Sequence, residues 1–308
     1  MHCFYLSFSL LSLLFLRGGR ARLGCSVLVA GRTRFGATVM CRLPDLIATY
    51  VWVFGGEWEP DLTRFIVNRL RDGDVFIDVG ANVGYYSLLA ARSVGVNGNV
   101  VAVEASPVMF DQLRRNTGAD RLGDRVRLVN KAAAAKSGGK LTVFSGPRHN
   151  TGMSTTLSTR GLDVEATIEA LRLDQIFTCE EAASIRIVKI DVEGAEPDVL
   201  AGMSNLIGVL RSDAEIVVEL SPPVVARPTL AADRRAAPIC RCRLQRLQDE
   251  KNSYNAWRYL WPNDVSNAIR VRDDLTRRVA RLDIVLSRLD GDFLTIEPSV
   301  AGQKNHWY

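Results

Sequence analysis

Acids standing at the ends of apolar runs, with glycines beside them, carry the chemistry this chain could do. Val75-Phe76-Ile77-Asp78-Val79 is a short apolar run holding one acid, followed by Gly80-Ala81-Asn82-Val83-Gly84 and then Tyr85 at the start of a helical stretch. Gly80 and Gly84 allow a tight turn and a close backbone approach to a ligand, because no Cβ intervenes. A second run, Val100-Val101-Ala102-Val103, ends in Glu104, 20 residues beyond Gly84. A carboxylate there is placed to accept hydrogen bonds from both hydroxyls of a ribose. A third run, Ile185 to Ile190, leads into Asp191-Val192-Glu193-Gly194-Ala195-Glu196. Asp191 and Glu193 could take a proton from a hydroxyl or cap the following helix. His149, in the polar loop 149–154, is the one mid-chain imidazole. It is either a third candidate base or a solvated loop residue.

The glycine turn is not built for phosphate. It lacks the Gly-x-Gly-x-x-Gly spacing of dinucleotide binders and the Gly-Lys-Ser/Thr of a P-loop. Asp78 would repel a pyrophosphate and suits a ligand with a positive end, such as the ammonium and sulfonium of S-adenosylmethionine. The alternative is a plain strand-turn-helix crossover in which the glycines serve packing alone.

The elements around these groups read as alternating strands and helices, hence an α/β chain with a doubly wound sheet. Val75–Val79, Val100–Val103, Val126–Val129, Leu141–Phe144, Ile185–Ile190, Ile216–Leu220, Leu282–Ser287 and Phe293–Ile296 read as strands. Helices are expected over Asp61–Leu70, after Tyr85, after Ser106-Pro107 and after Pro197. Asn130, just past the third of these strands, is expected to touch the base of the cofactor.

The whole chain has 308 residues, 47% of them hydrophobic, with a net charge of +5. That suffices for one large domain. The arginines form no stripe interleaved with aromatics, so no nucleic-acid partner is expected. Six cysteines without zinc spacing and three histidines argue against a metal centre and for a reducing, cytoplasmic setting. Residues 3–16 are apolar but too short to span a membrane, which takes about 18 residues or more. They leave an interfacial anchor, or a true start at Met40, as the two readings of the N-terminus. Residues 224–256 lose periodicity and fill with Arg, Ala, Pro and Cys, as a mobile loop over the site or a shift of reading frame would.

The segments Asp78-Val-Gly-Ala-Asn-Val-Gly84, Val101-Ala-Val-Glu-Ala-Ser-Pro107, Ile187-Val-Lys-Ile-Asp-Val-Glu-Gly-Ala-Glu196 and Val217-Val-Glu-Leu-Ser-Pro222 resemble the FkbM family of S-adenosylmethionine-dependent methyltransferases. The resemblance runs over residues 43–223, with weaker traces over 259–289. It implies a class I methyltransferase fold, Rossmann-like and mostly parallel with a C-terminal antiparallel hairpin. It also implies a poorly defined extension over 1–42 and an irregular insert at 224–256 within the domain. S-adenosyl-L-methionine is then the cofactor, held by Asp78, Gly80, Ala81, Asn82, Gly84, Tyr85, Glu104 and Asn130. The expected reaction is O-methylation of a sugar, glycolipid or polyketide-like acceptor, with Asp191, Glu193 and His149 as the catalytic candidates. Two other classes stay open at this stage: a nicotinamide-dependent oxidoreductase, and a non-catalytic protein that keeps the cofactor pocket.

Overall fold

The computed structural model describes residues 27–53, 56–147, 150–220, 243–246, 269–270 and 282–287. A hairpin of β1 (Val27–Arg32) and β2 (Thr38–Leu43) comes first, followed by helices α1 (Leu46–Val53) and α2 (Pro60–Arg69). Next are β3 (Val75–Val79), α3 (Tyr85–Ser93), β4 (Asn99–Val103), α4 (Pro107–Ala119) and β5 (Val126–Val129). Three strands, β6 (Ala132–Ala133), β7 (Lys140–Phe144) and β8 (Val164–Leu171), form a small separate sheet in the order β6-β8-β7. The main sheet resumes with α5 (Cys179–Ser184), β9 (Ile185–Ile190), α6 (Glu196–Gly202), α7 (Ser204–Val209) and β10 (Glu215–Leu220). Strands β11 (Arg243–Arg246), β12 (Ile269–Arg270) and β13 (Leu282–Ser287) complete it.

The eight-stranded sheet has the order β12-β11-β13-β10-β9-β3-β4-β5. From β5 to β10 neighbouring strands are parallel, while β13 runs antiparallel to both β10 and β11. Every residue of β3 and of β9 is buried, as strands covered on both faces require. The chain passes from β3 outward to β4 and β5, then returns to lay β9 on the other side of β3. That reversal opens a crevice at the carboxyl ends of β3 and β9, where doubly wound sheets bind ligands.

Residues ahead of the expected domain start at Leu43 also take part in the described fold. Phe35, Ala37, Val39 and Cys41 are buried in the same core as α3 and α4, and the Met40 N–H donates to Asn116 Oδ1 at 2.9 Å. Within the stretch 224–256, expected as an irregular insert, the described residues 243–246 form β11 of the main sheet. Phe293–Ile296 lies outside the described residues. Among the described residues, no helix is long and apolar enough to cross a membrane.

Candidate active site

A cleft with about 900 Å³ of space, part of it open to solvent, lies at the carboxyl ends of β3, β4 and β9. Gly80 and Asn82 from the β3–α3 turn, Glu104 just past β4, and Asp191 and Glu193 after β9 line it. Residues of the loop from Asn150 to Thr156 line it further, as do Trp58 and Glu59, just before α2.

Glu104 is only 7% exposed, yet it lines the cleft. Its Oε2 accepts the Asn82 N–H at 2.7 Å and its Oε1 the Ser106 N–H at 2.8 Å. One carboxylate thus fastens the glycine turn, where Asn82 sits at φ 51°, to the start of α4. Burial pushes its carboxyl up to about 7, against the pull of those two N–H groups. A carboxylate offers about four acceptor positions, so two remain for a ligand.

Several of the expected cofactor residues do not line the cleft. Asp78 is fully buried, accepting the Ser87 hydroxyl at 2.7 Å and facing Lys189 Nζ at 3.5 Å. Tyr85 is packed edge-on against Phe35 and Tyr86, with its hydroxyl accepting the Trp58 N–H at 3.0 Å. Ala81 is buried, its N–H bonded to the Val103 carbonyl at 3.1 Å. Asn130 donates to the Glu104 carbonyl at 2.8 Å, so it braces the tip of β4 from outside the cleft. Gly80 does line the cleft, but its φ of 78° and missing Cβ serve another contact. A Cβ there would be driven into the Asp191 carbonyl oxygen. At Gly84, φ 93°, a Cβ would stand 2.5 Å from Leu113 Cδ1. Both glycines therefore let backbone and helix pack around the turn.

The acids after β9 are divided by their partners. Asp191, its side chain 24% exposed, pairs with Lys189 Nζ at 3.4 Å. It does not cap α6, whose N-cap is Ala195. Glu193 is buried, holds φ 54° and pairs with Arg160 at 2.9 Å. Glu196 folds back to accept the Gly194 N–H at 2.8 Å. Burial works to lower the Lys189 pKa, but the carboxylates of Asp191, Asp78 and Glu59 outweigh it and keep the ammonium charged. His149 lies outside the described residues, although its neighbours Asn150 and Thr151 line the cleft.

Residues 78–232 match the Methyltransferase FkbM domain, half of the chain. The chain belongs to the FkbM methyltransferase family. A hexuronic acid methyltransferase of Haloferax volcanii is 30% identical over 162 residues, 53% of this chain and 62% of its own length. The 31-O-demethyl-FK506 methyltransferase of Streptomyces tacrolimicus is 31% identical over 166 residues, 44% of this chain and 62% of its own length. The chain thus spans under two thirds of both relatives. The solved FkbM methyltransferase of Methylobacillus flagellatus superposes with a TM-score of 0.40 at 14% identity, covering 71% of this chain and 44% of that one.

The methyl donor of FkbM methyltransferases is S-adenosylmethionine, and the cleft fits it chemically. Glu104 has acceptor positions left over, and Asn82 Oδ1 is a buried acceptor with no partner. The donor molecule carries what both need, ribose hydroxyls and N–H groups. No group of three or more metal-ligating side chains is arranged around an ion among the described residues.

Trp58 and Glu59 were missed in the sequence, as was Asp45. Asp45 accepts the N–H and hydroxyl of Thr151 at 2.8 and 2.7 Å and also caps α1 through the Ile47 N–H at 2.9 Å. It ties the cleft-lining loop to the N-terminal module. A left-handed Glu59 at φ 43° leaves no mark in sequence, where Gly or Asn would have been the signal.

Proposed function

We propose that this chain is an S-adenosylmethionine-dependent O-methyltransferase acting on a hydroxyl of a sugar, glycolipid or polyketide-like small molecule. The observation that carries the reading is one cleft, at the reversal point of the sheet, lined by both Glu104 and Asp191. Glu104 would hold the ribose, and Asn82 would accept from a donor of the cofactor. When bound, the cofactor supplies a methyl group on a sulfonium, which leaves as a neutral thioether.

What falls to the protein is to hold the acceptor hydroxyl and remove its proton. Asp191 is the base in this reading, since its carboxylate lines the cleft and caps no helix. Glu193 is engaged by Arg160 and holds the 158–160 turn against the β9 tip. The names of the two relatives, one a hexuronic acid and the other a 31-O-demethyl-FK506 methyltransferase, support a hydroxylated small-molecule acceptor.

Calorimetric titration with S-adenosylmethionine and with NAD tests the cofactor. Binding of the first alone is expected; binding of NAD alone would put a nicotinamide-dependent oxidoreductase in its place. Release of S-adenosylhomocysteine with a hydroxylated acceptor then separates an enzyme from a binding protein.

A further inference from the structure

The positive charge of this chain sits at one end. The first 44 residues hold six arginines, Arg17, Arg20, Arg22, Arg32, Arg34 and Arg42, and no Asp or Glu, a net +6 against +5 for the whole chain. The remainder is therefore close to balanced. The apolar stretch 3–16 stands directly before Arg17. Of the two readings of this end, a start at Met40 would take Phe35, Ala37 and Val39 out of the core. That leaves the interfacial anchor.

The hairpin that follows turns a matching face outward. Side chains alternate along β1 and β2: Val39, Cys41 and Leu43 enter the core, while Leu28, Ala30, Arg32, Thr38 and Arg42 are exposed and Met40 is half-buried. The register sets Leu28 opposite Arg42, Ala30 opposite Met40 and Arg32 opposite Thr38. The outer face thus has Ala30 and Met40 in its middle and an arginine at each end, with Leu28, 45% exposed, beside one of them. A hairpin face turned to water is ordinarily polar. Two neighbouring charges are already matched: Arg34 pairs with Glu57 at 3.3 Å, and Asp120, which accepts the Thr38 N–H, pairs with Arg92 at 2.6 Å. Residues 1–26 lie outside the described residues, but β1 starts at Val27, so at most about 40 Å of chain separates Leu16 from this face.

We propose that residues 3–16, the arginines after them and the outer face of the hairpin dock together on the surface of an anionic lipid bilayer, without crossing it. The apolar stretch is too short to span a bilayer. It is long enough to seat phenylalanine and leucine side chains at the boundary between headgroups and acyl chains, with Arg17, Arg20 and Arg22 against the lipid phosphates. Leu28 and Met40 extend the apolar contact, and Arg32 extends the basic one. A nucleic acid would engage the arginines and leave the apolar stretch in water, whereas a bilayer takes up both. The docking is independent of the cofactor and of the reaction.

The test is flotation of the full chain with vesicles of phosphatidylcholine, alone or mixed with about 30% phosphatidylserine. Binding to the mixed vesicles should be at least about tenfold tighter than to the neutral ones. It should fall by about tenfold or more when salt rises from about 0.1 to 1 M, as the Debye length shrinks from about 10 to 3 Å. Arg17→Glu, Arg20→Glu and Arg22→Glu together should weaken it by about a hundredfold. Leu28→Asp, at an exposed position, should weaken it by about tenfold and leave the melting temperature unchanged. Equal binding to both vesicle types, or none to either, overturns the proposal, as does a Leu28→Asp variant that binds like the wild type. Retention on RNA without vesicle binding also overturns it and marks a polyanion site. A concentration-dependent dimer without vesicle binding overturns it too, and puts the face between two copies of the chain.

Discussion

Replacing Glu104 by Gln should make S-adenosylmethionine binding weaker and insensitive to pH. Burial holds this carboxyl up at about 7 in the folded chain, against an ordinary value of 4.5. Only the ionised form can accept from both ribose hydroxyls while still accepting from the Asn82 and Ser106 N–H groups. Wild-type affinity should therefore rise with pH through about 7 and level off above it. At pH about 5.5 roughly 3% of Glu104 is ionised, so binding should be about thirtyfold weaker than at pH about 8.5. Stability of the free protein moves the other way. The folded-state value lies above the unfolded one, so Glu104 contributes nothing below about 4.5 and a growing penalty up to 7. Its full size is about 3 kcal/mol, from roughly 2.5 units at about 1.4 kcal/mol each. Glu104→Gln removes that penalty but turns an amide N–H₂ toward one of the two backbone donors, which costs about 1–3 kcal/mol. Calorimetric titration across pH about 5.5 to 8.5, with thermal melts alongside, reads both effects. Glu196 is the internal control, since burial also raises it to about 7 but it does not line the cleft. A flat wild-type profile, a Glu104→Gln variant of unchanged affinity, or a profile that moves with Glu196→Gln instead would refute the assignment.

Three other outcomes follow from the same geometry. A chain starting at Met40 should fail to fold, because it loses Phe35, Ala37 and Val39 from the core and unpairs β2; a cooperative melt at the wild-type temperature would show the hairpin dispensable. Gly80→Ala should lower stability by several kcal/mol, more than the ~1–3 kcal/mol of a strained backbone alone, because the new Cβ runs into the Asp191 carbonyl; a denaturant titration with an unchanged midpoint would contradict this. Asp191→Asn should keep cofactor affinity within a few-fold and cut single-turnover methyl transfer by about 10²–10⁴-fold; an unchanged rate would remove Asp191 as the base.

The sheet was legible because its central strands announce themselves locally. β3, β4 and β9 are apolar runs that need no partner to be recognised, and their order along the chain fixes a doubly wound topology. Glu104 was legible for the same reason, since it stands one residue past the end of β4. Asp78 was expected to face the ligand, but it lies inside β3, which runs on to Val79. Side chains alternate across a strand, and the Asp78 carboxylate turns into the packing against Ser87 and Lys189 rather than toward the ligand. The N-terminal hairpin failed for a different reason. Its anchor is Asn116, 76 positions from Met40, and such a contact has no local signature. In β8 only Ala170 is fully buried, so the strand had too weak a pattern to be read.

The buried charges behind the cleft give Asp191 its place. An ammonium as deeply buried as Lys189 is tolerable only with carboxylates against it. Asp78 comes from β3, Lys189 from β9, and Asp191 from the turn that follows β9. The pair therefore crosses the two strands that flank the reversal point of the sheet. The Asp191 N–H adds a hydrogen bond to the Val79 carbonyl at 3.0 Å, across the same strand pair. Asp191 is thus held by two fully buried strands, backbone and side chain alike, although it lies in a turn. As the proposed base, Asp191 would keep its position by these contacts, while the loop 150–156 is tied to the segment before α1 through Asp45 and Thr151. The residues that would hold the methyl donor lie within the matched stretch 78–232, whereas Ile47, Trp58 and Glu59 line the same cleft from outside it.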